Sequence, residues 1–165
     1  MKSSGYVSPF NRNPGLRPSA PGLNSVSVIV PFYNEEDCVE FVLKEIVKYQ
    51  PDAKVVAVDD GSSDHTWEIM GGIEEVTPLR LTENRGQSGA LFAGMSFAAG
   101  DILVMLDGDG QNDPADIQEL VDLVKAGDCD VAVGRRAKRK DTWSRRAASR
   151  IANRIRRCFI QDGIS

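Results

Sequence analysis

Short hydrophobic runs and amphipathic stripes alternate along the chain between residues 25 and 134. Apolar runs bounded by turn residues are typical of buried strands, and they predict strands at residues 25–32, 54–60, 79–81, 102–106 and 130–134. Apolar positions spaced three and four residues apart predict a helix at 39–47. Further helices are expected after the turn at 61–64, at 86–99 and from Pro114 to about Ala126, where proline suits a helix start.

Strands and helices alternate in this pattern, which predicts an α/β domain with a mostly parallel sheet and helices on both faces. The segment 86–99 is rich in Ala and Gly and apolar on most sides, so we expect a buried helix there. With 165 residues, the chain has room for one domain with one core.

Polar residues follow three of the predicted strands, at 31–36, 59–64 and 107–109. Ligands of open parallel sheets bind at the carboxyl ends of the strands. The sequence therefore predicts that several carboxylates share one site at that edge.

Asp107, Asp109 and Gln111 form an all-oxygen set directly after a strand. Such a set suits Mg²⁺ or Mn²⁺, which would also take diphosphate oxygens, and Gly108 would let the backbone approach closely. The alternative is a solvated turn in which Asp113 caps the helix that begins at Pro114.

The stretch VDDGSSD places Asp59 and Asp60 after another buried strand. Two adjacent carboxylates there are costly unless something binds them, and an Asp at such a place can accept N–H bonds from a nucleobase edge. The alternative is ordinary turn chemistry, with Ser63 or Asp64 capping the next helix. His65, the only histidine, favours a surface or capping role. Dinucleotide and P-loop motifs are absent from the sequence.

Charge is distributed unevenly along the chain. Residues 1–134 hold 9 Lys/Arg against 22 Asp/Glu, a net charge of −13, whereas residues 135–165 hold 11 Lys/Arg against 2 Asp, a net charge of +9. A basic segment on an acidic domain indicates an anionic partner. The strongly acidic domain without an aromatic platform argues against nucleic acid.

The basic segment also carries a narrow apolar stripe, formed by Ile151, Ala152, Ile155 and Phe159. A basic amphipathic helix of this kind is typical of contact with an anionic membrane surface. Packing of the stripe on its own domain is the alternative, and the two are compatible. No apolar run approaches the length of a membrane span, and the N-terminus lacks the apolar core of a signal peptide. Three widely spaced cysteines indicate a reducing compartment.

Five collinear stretches resemble family 2 glycosyltransferases of the GT-A fold, most closely the polyprenyl-phosphate (dolichol-phosphate) mannosyl- and glucosyltransferases. They are VSVIVPFYNEE, VVAVDDGSSDHT, NRGQSGALFAGMSFAAGD, ILVMLDGDGQNDPADI and VAVGRR. Residues 1–24 are rich in Pro and Gly and lack periodicity, which predicts a disordered tail. The resemblance implies a nucleotide-sugar-binding GT-A domain at 25–140, followed at 141–165 by the basic helix and the start of the acceptor side.

The resemblance also implies roles for matching positions. Pro31, Tyr33, Glu35 and Asp60 would hold the base and ribose, Asp59 would support them, and Arg85 and Gly86 would line the donor site. Asp107, Asp109 and Gln111 would hold a Mg²⁺ or Mn²⁺ ion on the donor diphosphate. Asp109 and Arg135 would be catalytic, with Arg135 receiving the lipid phosphate.

The activity implied is inverting transfer of a hexose, of mannose or glucose type, from a nucleotide-diphosphate sugar to a polyprenyl phosphate. The protein would be cytoplasmic and peripheral at the cytoplasmic face of the membrane. The chain ends where members of this family continue. A shortened protein that binds nucleotide sugar without transferring it is therefore an alternative, as is a transferase for a soluble or polysaccharide acceptor.

Overall fold

The computed structural model describes residues 23–134. Four parallel strands form one sheet in the order β3-β2-β1-β4. The strands are β1 (Val26–Phe32), β2 (Lys54–Asp59), β3 (Val76–Arg80) and β4 (Ile102–Met105). The helices are α1 (Val39–Tyr49), α2 (Thr66–Gly71), α3 (Gly86–Phe97) and α4 (Ile117–Lys125), and a 3₁₀ turn (Pro114–Asp116) precedes α4.

The two central strands, β1 and β2, are also the most buried. All of β2 after Lys54 is buried, and so is most of β1. Strands covered on both faces read as continuous apolar runs, which explains why the sequence shows no alternation there. The expected α/β architecture with a parallel sheet is confirmed.

Helices cover the sheet unequally on its two faces. The larger core packs α1, α2 and α4 against one face, around Val28, Val30 and Leu43. The smaller core packs α3 against Ile29 and Val58 on the other face.

Helix α3 corrects one expectation from the sequence. Ala90 and Gly94 are buried against the sheet, but Phe92 is 70% exposed and Phe97 is 54% exposed. The helix is present but is buried on one side only. Overall hydrophobicity predicted burial all round, whereas a helix on a sheet buries only the side that faces the strands.

The fifth strand predicted at residues 130–134 is wrong. No strand forms there, and Val131 and Val133 are 74% and 72% exposed. The alternating pattern indicates strand propensity, but a strand also requires a ladder partner, and within residues 23–134 the sheet ends at β4.

At the edge of the sheet opposite the carboxyl edge, hydrogen bonds join the start of β1 to the start of β4. Asp101 precedes β4, and its Oδ2 accepts hydrogen bonds from the backbone N–H of Ser25 at 3.0 Å and from Ser25 Oγ at 2.7 Å. Leu23 packs against the larger core, so the described chain is anchored from its first residue.

Predictions for the tail up to residue 22, for Arg135 and for the basic helix lie outside the described residues. Within residues 23–134, no helix has both the length and the apolar character needed to cross a membrane.

Candidate functional site

Three loops meet at the carboxyl edge of the sheet. Because β1 lies between β2 and β4, the loop after β1 is flanked by the other two. Phe32 at the end of β1 pairs with Asp59 at the end of β2, and Asp107 follows β4 by two residues. The strand order thus brings the three polar segments predicted from sequence to one edge.

The loops after β1 and β2 are joined by hydrogen bonds. The Asn34 N–H donates to Ser62 Oγ at 2.9 Å, and the Ser63 N–H donates back to Asn34 Oδ1 at 2.9 Å. Asn34 has a φ of 53°, in the left-handed region that asparagine tolerates better than most residues. The Glu35 N–H donates to Thr66 Oγ1 at 2.9 Å. These bonds fix the backbone around Tyr33 and Glu35.

Asp59 is fully buried at the end of β2. Its Oδ1 accepts from the Ser62 N–H at 3.0 Å, and its Oδ2 forms an ion pair with Arg80 Nε at 3.1 Å. A buried carboxylate needs both a counter-ion and hydrogen bonds, and this arrangement supplies them. Asp59 is therefore a buried part of the loop after β2, bonded to Ser62 and paired with Arg80.

Asp60 is nearly buried, with 3% of its surface exposed. Its Oδ1 accepts from the Arg85 N–H at 2.8 Å, and so links the β2 loop to the start of α3. Gly86, the first residue of α3, has a φ of 73°, and its N–H donates to Asn84 Oδ1 at 3.0 Å. Arg85 and Gly86 thus lie beside Asp60.

The loop after β4 presents its carboxylates more openly. Asp107 is exposed, and its Oδ1 accepts from Gln87 Nε2 at 2.6 Å. Asp109 Oδ1 accepts from the Gln111 N–H at 2.9 Å. An added Cβ at Gly108 would lie 2.5 Å from Pro31 O, so the absence of a side chain lets this loop pack closely against β1.

The side-chain oxygens of this loop suit a divalent cation that takes its remaining ligands from a bound diphosphate. Among the described residues, no three His, Cys, Asp or Glu side chains come together as a self-sufficient metal site. Asp107 and Asp109 supply two carboxylates, and Gln111 adds an amide oxygen. Mg²⁺ is usually held by one or two carboxylates together with substrate phosphates, so this sparse set suits a metal that arrives with a diphosphate.

Helix α3 connects the two acidic regions. Arg85, just before the helix, bonds Asp60, and Gln87, in its first turn, bonds Asp107. Sequence reasoning missed Gln87, and it also missed Arg80 and the bonds of Asn34 with Ser62 and Ser63. A polar residue at the start of a helix whose neighbours line the site could have indicated Gln87.

Capping also follows the sequence pattern in this region. Asp113 Oδ1 accepts from the Ala115 N–H at 3.0 Å, which confirms the predicted cap.

Burial tends to raise the pKa of the Asp64 carboxyl, but hydrogen bonds from the Thr66 side chain and N–H and from the Glu36 N–H outweigh it, so the pKa is lowered. His65 is exposed at the N-cap of α2, without a side-chain capping bond.

The predicted site residues within the described range all lie at or beside the carboxyl edge. Pro31 is the second-last residue of β1. Tyr33, in the loop that follows, is 47% exposed, and Glu35 lies in the same loop. Fold and site together define a parallel α/β domain with an acidic carboxyl edge, and the carboxyl edge is where such folds bind their ligands.

A family model described as Glycosyl transferase family 2 matches residues 27–163, and the chain belongs to this family. It is 37% identical over 140 residues to the undecaprenyl-phosphate 4-deoxy-4-formamido-L-arabinose transferase of Proteus mirabilis, covering 79% of this chain and 43% of that protein. It is 38% identical over 137 residues to the protein of the same name from Edwardsiella ictaluri, covering 78% and 42%.

Among solved structures, the fold is similar to a mannosyltransferase from Pyrobaculum calidifontis in complex with GDP-Man and Mn²⁺. The TM-score is 0.54 at 30% identity, covering 68% of this chain and 34% of that one. The expected GT-A fold class is confirmed. The chain spans less than half the length of the curated relatives it matches.

Proposed function

We propose that this chain carries the donor-binding part of an inverting glycosyltransferase that moves a sugar from a nucleoside-diphosphate sugar to a polyprenyl phosphate. The observation that carries this proposal is the bridge made by the start of α3. The Arg85 N–H donates to Asp60 and Gln87 donates to Asp107, so one carboxylate proposed for the base and one proposed for the metal are both bonded to the start of α3. A nucleoside diphosphate has its base at one end and its phosphates at the other, as this layout requires.

The base and ribose would lie against the loops after β1 and β2, in contact with Pro31, Tyr33, Glu35 and Asp60. An Asp in such a place accepts from the N3–H of uracil or from the N1–H and N2–H edge of guanine. Asp59 would hold Asp60 in place from beneath, and Arg85 and Gly86 would line the pocket.

Mg²⁺ or Mn²⁺ would be held by Asp107, Asp109 and Gln111, together with the donor diphosphate. When bound, the metal supplies positive charge against the negative charge that develops on the leaving diphosphate. The chain's own part is to offer two carboxylates from a backbone that Gly108 packs tightly against β1.

The acceptor would be a phosphate oxygen, which is ionised at neutral pH and needs little help from a general base. A new bond forms between this oxygen and the anomeric carbon as the bond to the diphosphate breaks, with inversion. Arg135 would hold the acceptor phosphate, since guanidinium binds phosphate in bidentate geometry.

The sugar is proposed to be a hexose of mannose or glucose type. The named curated relatives carry an arabinose derivative, a pentose, and the similar solved structure was obtained with GDP-Man. Donors that carry mannose, glucose and the arabinose derivative are therefore all included in the test.

We also propose that the protein works peripherally at the cytoplasmic face of a membrane, where a polyprenyl phosphate is accessible. The Arg-rich segment 141–159 supports this, because basic amphipathic segments bind anionic lipid surfaces. Flotation with anionic liposomes tests it, and deletion of residues 141–159 should abolish the association.

Calorimetric titration of the full chain with GDP-mannose, UDP-glucose and UDP-4-deoxy-4-formamido-L-arabinose, with and without Mn²⁺, tests the donor site. We expect metal-dependent binding of one donor, and D109A should remove the metal dependence. D52N is the matched control, because Asp52 is an exposed acid in the turn before β2, at the opposite edge of the sheet.

Binding that survives in D109A with its metal dependence intact would show that the metal assignment is wrong. Metal-dependent binding without transfer to undecaprenyl phosphate would favour the alternative of a chain that binds donor only.

A further inference from the structure

Arg80, the last residue of β3, makes three contacts that all converge beneath the base-binding loop. Its Nε lies 3.1 Å from Asp59 Oδ2, and its Nη2 donates to the Ser62 carbonyl at 3.0 Å. Its guanidinium carbon lies 5.5 Å from the centroid of the Trp67 ring, on α2. One side chain thus joins the end of β2, the loop after it and the helix that follows.

Of the three contacts, the one with Asp59 has the largest energetic consequence, because it neutralises a buried charge. Asp59 has no exposed surface, whereas Arg80 is 42% exposed. Within the described residues, no hydrogen-bond donor meets Asp59 Oδ2 with directed geometry, so the Arg80 charge is what compensates that oxygen. A buried carboxylate without a counter-ion is strongly unfavourable.

The contact with Ser62 sets the shape of the loop. Ser62 donates its N–H to Asp59 Oδ1, offers its carbonyl to Arg80, and accepts the Asn34 N–H at its hydroxyl. The N–H, the carbonyl and the hydroxyl oxygen of Ser62 are thereby engaged, and its position links the loops after β1 and β2. Asp60 lies between Asp59 and this residue.

We propose that Arg80 is a positioning residue for nucleotide binding, which clamps Asp59 and Ser62 so that Asp60 and the β1 loop keep the geometry that receives the base. This rests on the proposed donor site but adds a residue outside it. The planar fork of arginine is required, because Nε and Nη2 serve two different partners and the single ammonium of lysine cannot reproduce both directions.

The test compares R80M, R80K and the double variant D59N/R80M in the full chain. Affinities for UDP and GDP are measured with Mn²⁺ at a temperature at which circular dichroism shows each variant folded. We expect R80M to weaken binding by roughly 10- to 100-fold, the range typical when a partner that orients a binding group is removed. R80K should fall between R80M and the unchanged chain.

The double variant separates positioning from stability. R80M should lower the melting temperature because Asp59 keeps its buried charge, and D59N/R80M should recover much of that loss because neither charge remains. Affinity should stay low in the double variant, since the Ser62 carbonyl still lacks its donor. Recovery of affinity together with stability would overturn the positioning role, as would R80M binding within twofold of the unchanged chain.

K48M is the matched control. Lys48 also pairs with a carboxylate, Glu45 at 3.3 Å, and also lies over an aromatic ring, Tyr49 at 4.7 Å. It sits in the last turn of α1, away from the carboxyl edge, and its removal changes net charge by the same amount. Its affinity for both nucleotides should be unchanged.

Amide hydrogen exchange without nucleotide provides a second readout, which keeps the two proposals distinguishable. In R80M, exchange should rise selectively at Ser62, whose N–H bonds Asp59, and at Arg85, whose N–H bonds Asp60. If the unchanged chain binds neither UDP nor GDP, the donor site fails while this local effect still supports the clamp. Uniform acceleration across β1 to β4, or no change at Ser62, would overturn the clamp itself.

Discussion

The carboxylates after β2 and those after β4 lie on either side of β1 but are held in opposite ways. Asp59 and Asp60 are buried and bonded to protein groups, whereas Asp107 is exposed and Asp109 is partly so. The β2 end is completed by the protein itself, through Arg80, Ser62 and the Arg85 N–H. The β4 end stays accessible to solvent. Among the described residues, Asp107 accepts only from the side-chain amides of Gln87 at 2.6 Å and Asn112 at 3.4 Å, which suits the proposed sharing of this end with a metal and a diphosphate.

Under the proposed function, this difference would let one edge of the sheet hold both ends of a nucleotide sugar. A base is recognised by directed hydrogen bonds, which need a rigid, preformed partner. A metal diphosphate brings its own charge and ligands, so the protein needs only to present oxygens. Stability and binding should therefore separate between the two ends.

The largest effect is expected for D59A. Loss of a buried, paired carboxylate leaves the Ser62 N–H without its acceptor and Arg80 without its partner, and we expect a loss of about 2–3 kcal/mol in the free energy of unfolding. Urea denaturation followed by circular dichroism measures it.

D107A is the paired experiment at the β4 end. Asp107 and Gln87 are both exposed, so the free energy of unfolding should change by less than about 0.5 kcal/mol. Metal-dependent nucleotide binding should nevertheless be lost. Equal destabilisation by D59A and D107A would contradict the distinction between a completed end and an open one.

An effect on stability between those of D59A and D107A is expected for G108A, because Gly108 is buried against β1 whereas the carboxylates on either side of it are exposed or partly exposed. The added Cβ would lie 2.5 Å from Pro31 O and 2.7 Å from the Phe32 ring, and overpacking of this kind costs about 1–3 kcal/mol. Thermal unfolding measures the loss, and metal-dependent nucleotide binding should weaken because Asp107 and Asp109 flank the glycine.

G71A serves as the control for G108A. A Cβ at Gly71, the last residue of α2, would meet nothing within 4 Å. Alanine in a compatible helical position stabilises by roughly 0.4–1 kcal/mol. A neutral G108A would mean that the loop can shift away from β1, and then packing does not fix the carboxylates.

The same contrast indicates which features a sequence can reveal. The acidic strand ends, the Asp113 cap and the close approach at Gly108 follow from local patterns, because strand ends, caps and glycines act over a few residues. The clamp of Arg80 on Asp59 depends on β3 lying beside β2, and the bridge from Gln87 to Asp107 depends on where α3 crosses the sheet. Both are consequences of strand order, which local periodicity leaves open.

The error at residues 130–134 has the same origin. The alternation of Val131 and Val133 indicates strand propensity correctly, but a strand also needs a neighbour to pair with. In the described part of the chain nothing pairs with the outer edge of β4. Propensity is local, whereas pairing depends on distant parts of the chain.

The smallest effect on the free energy of unfolding is expected from the pH dependence of two single carboxylates. Asp64 lies in the loop after β2 and Asp116 in the 3₁₀ turn before α4, and the variants to compare are D64N and D116N. Hydrogen bonds from Thr66 and Glu36 outweigh burial and lower the pKa of Asp64, so its ionised form stabilises the fold. That contribution is present above the unfolded-state pKa of about 3.9 and is lost as the pH falls through the lower folded-state pKa. Because Asp64 is only partly buried and solvent screens its charge, the contribution should be only a few tenths of a kcal/mol.

Asp116 should have the opposite effect on stability. Burial and the neighbouring charges of Asp113 and Glu119 raise its pKa, so its ionised form destabilises the fold. D64N should therefore destabilise at pH 7 and lose that penalty at low pH, whereas D116N should stabilise slightly at pH 7 and lose that gain on acidification. Urea midpoints measured from pH 7 down to about pH 2 follow both, because the lowered pKa of Asp64 keeps part of its charge in place near pH 3. A D64N penalty that persists at the lowest pH would mean that Asp64 acts through its shape and hydrogen bonds rather than through its charge, so the loop after β2 would be held by geometry alone.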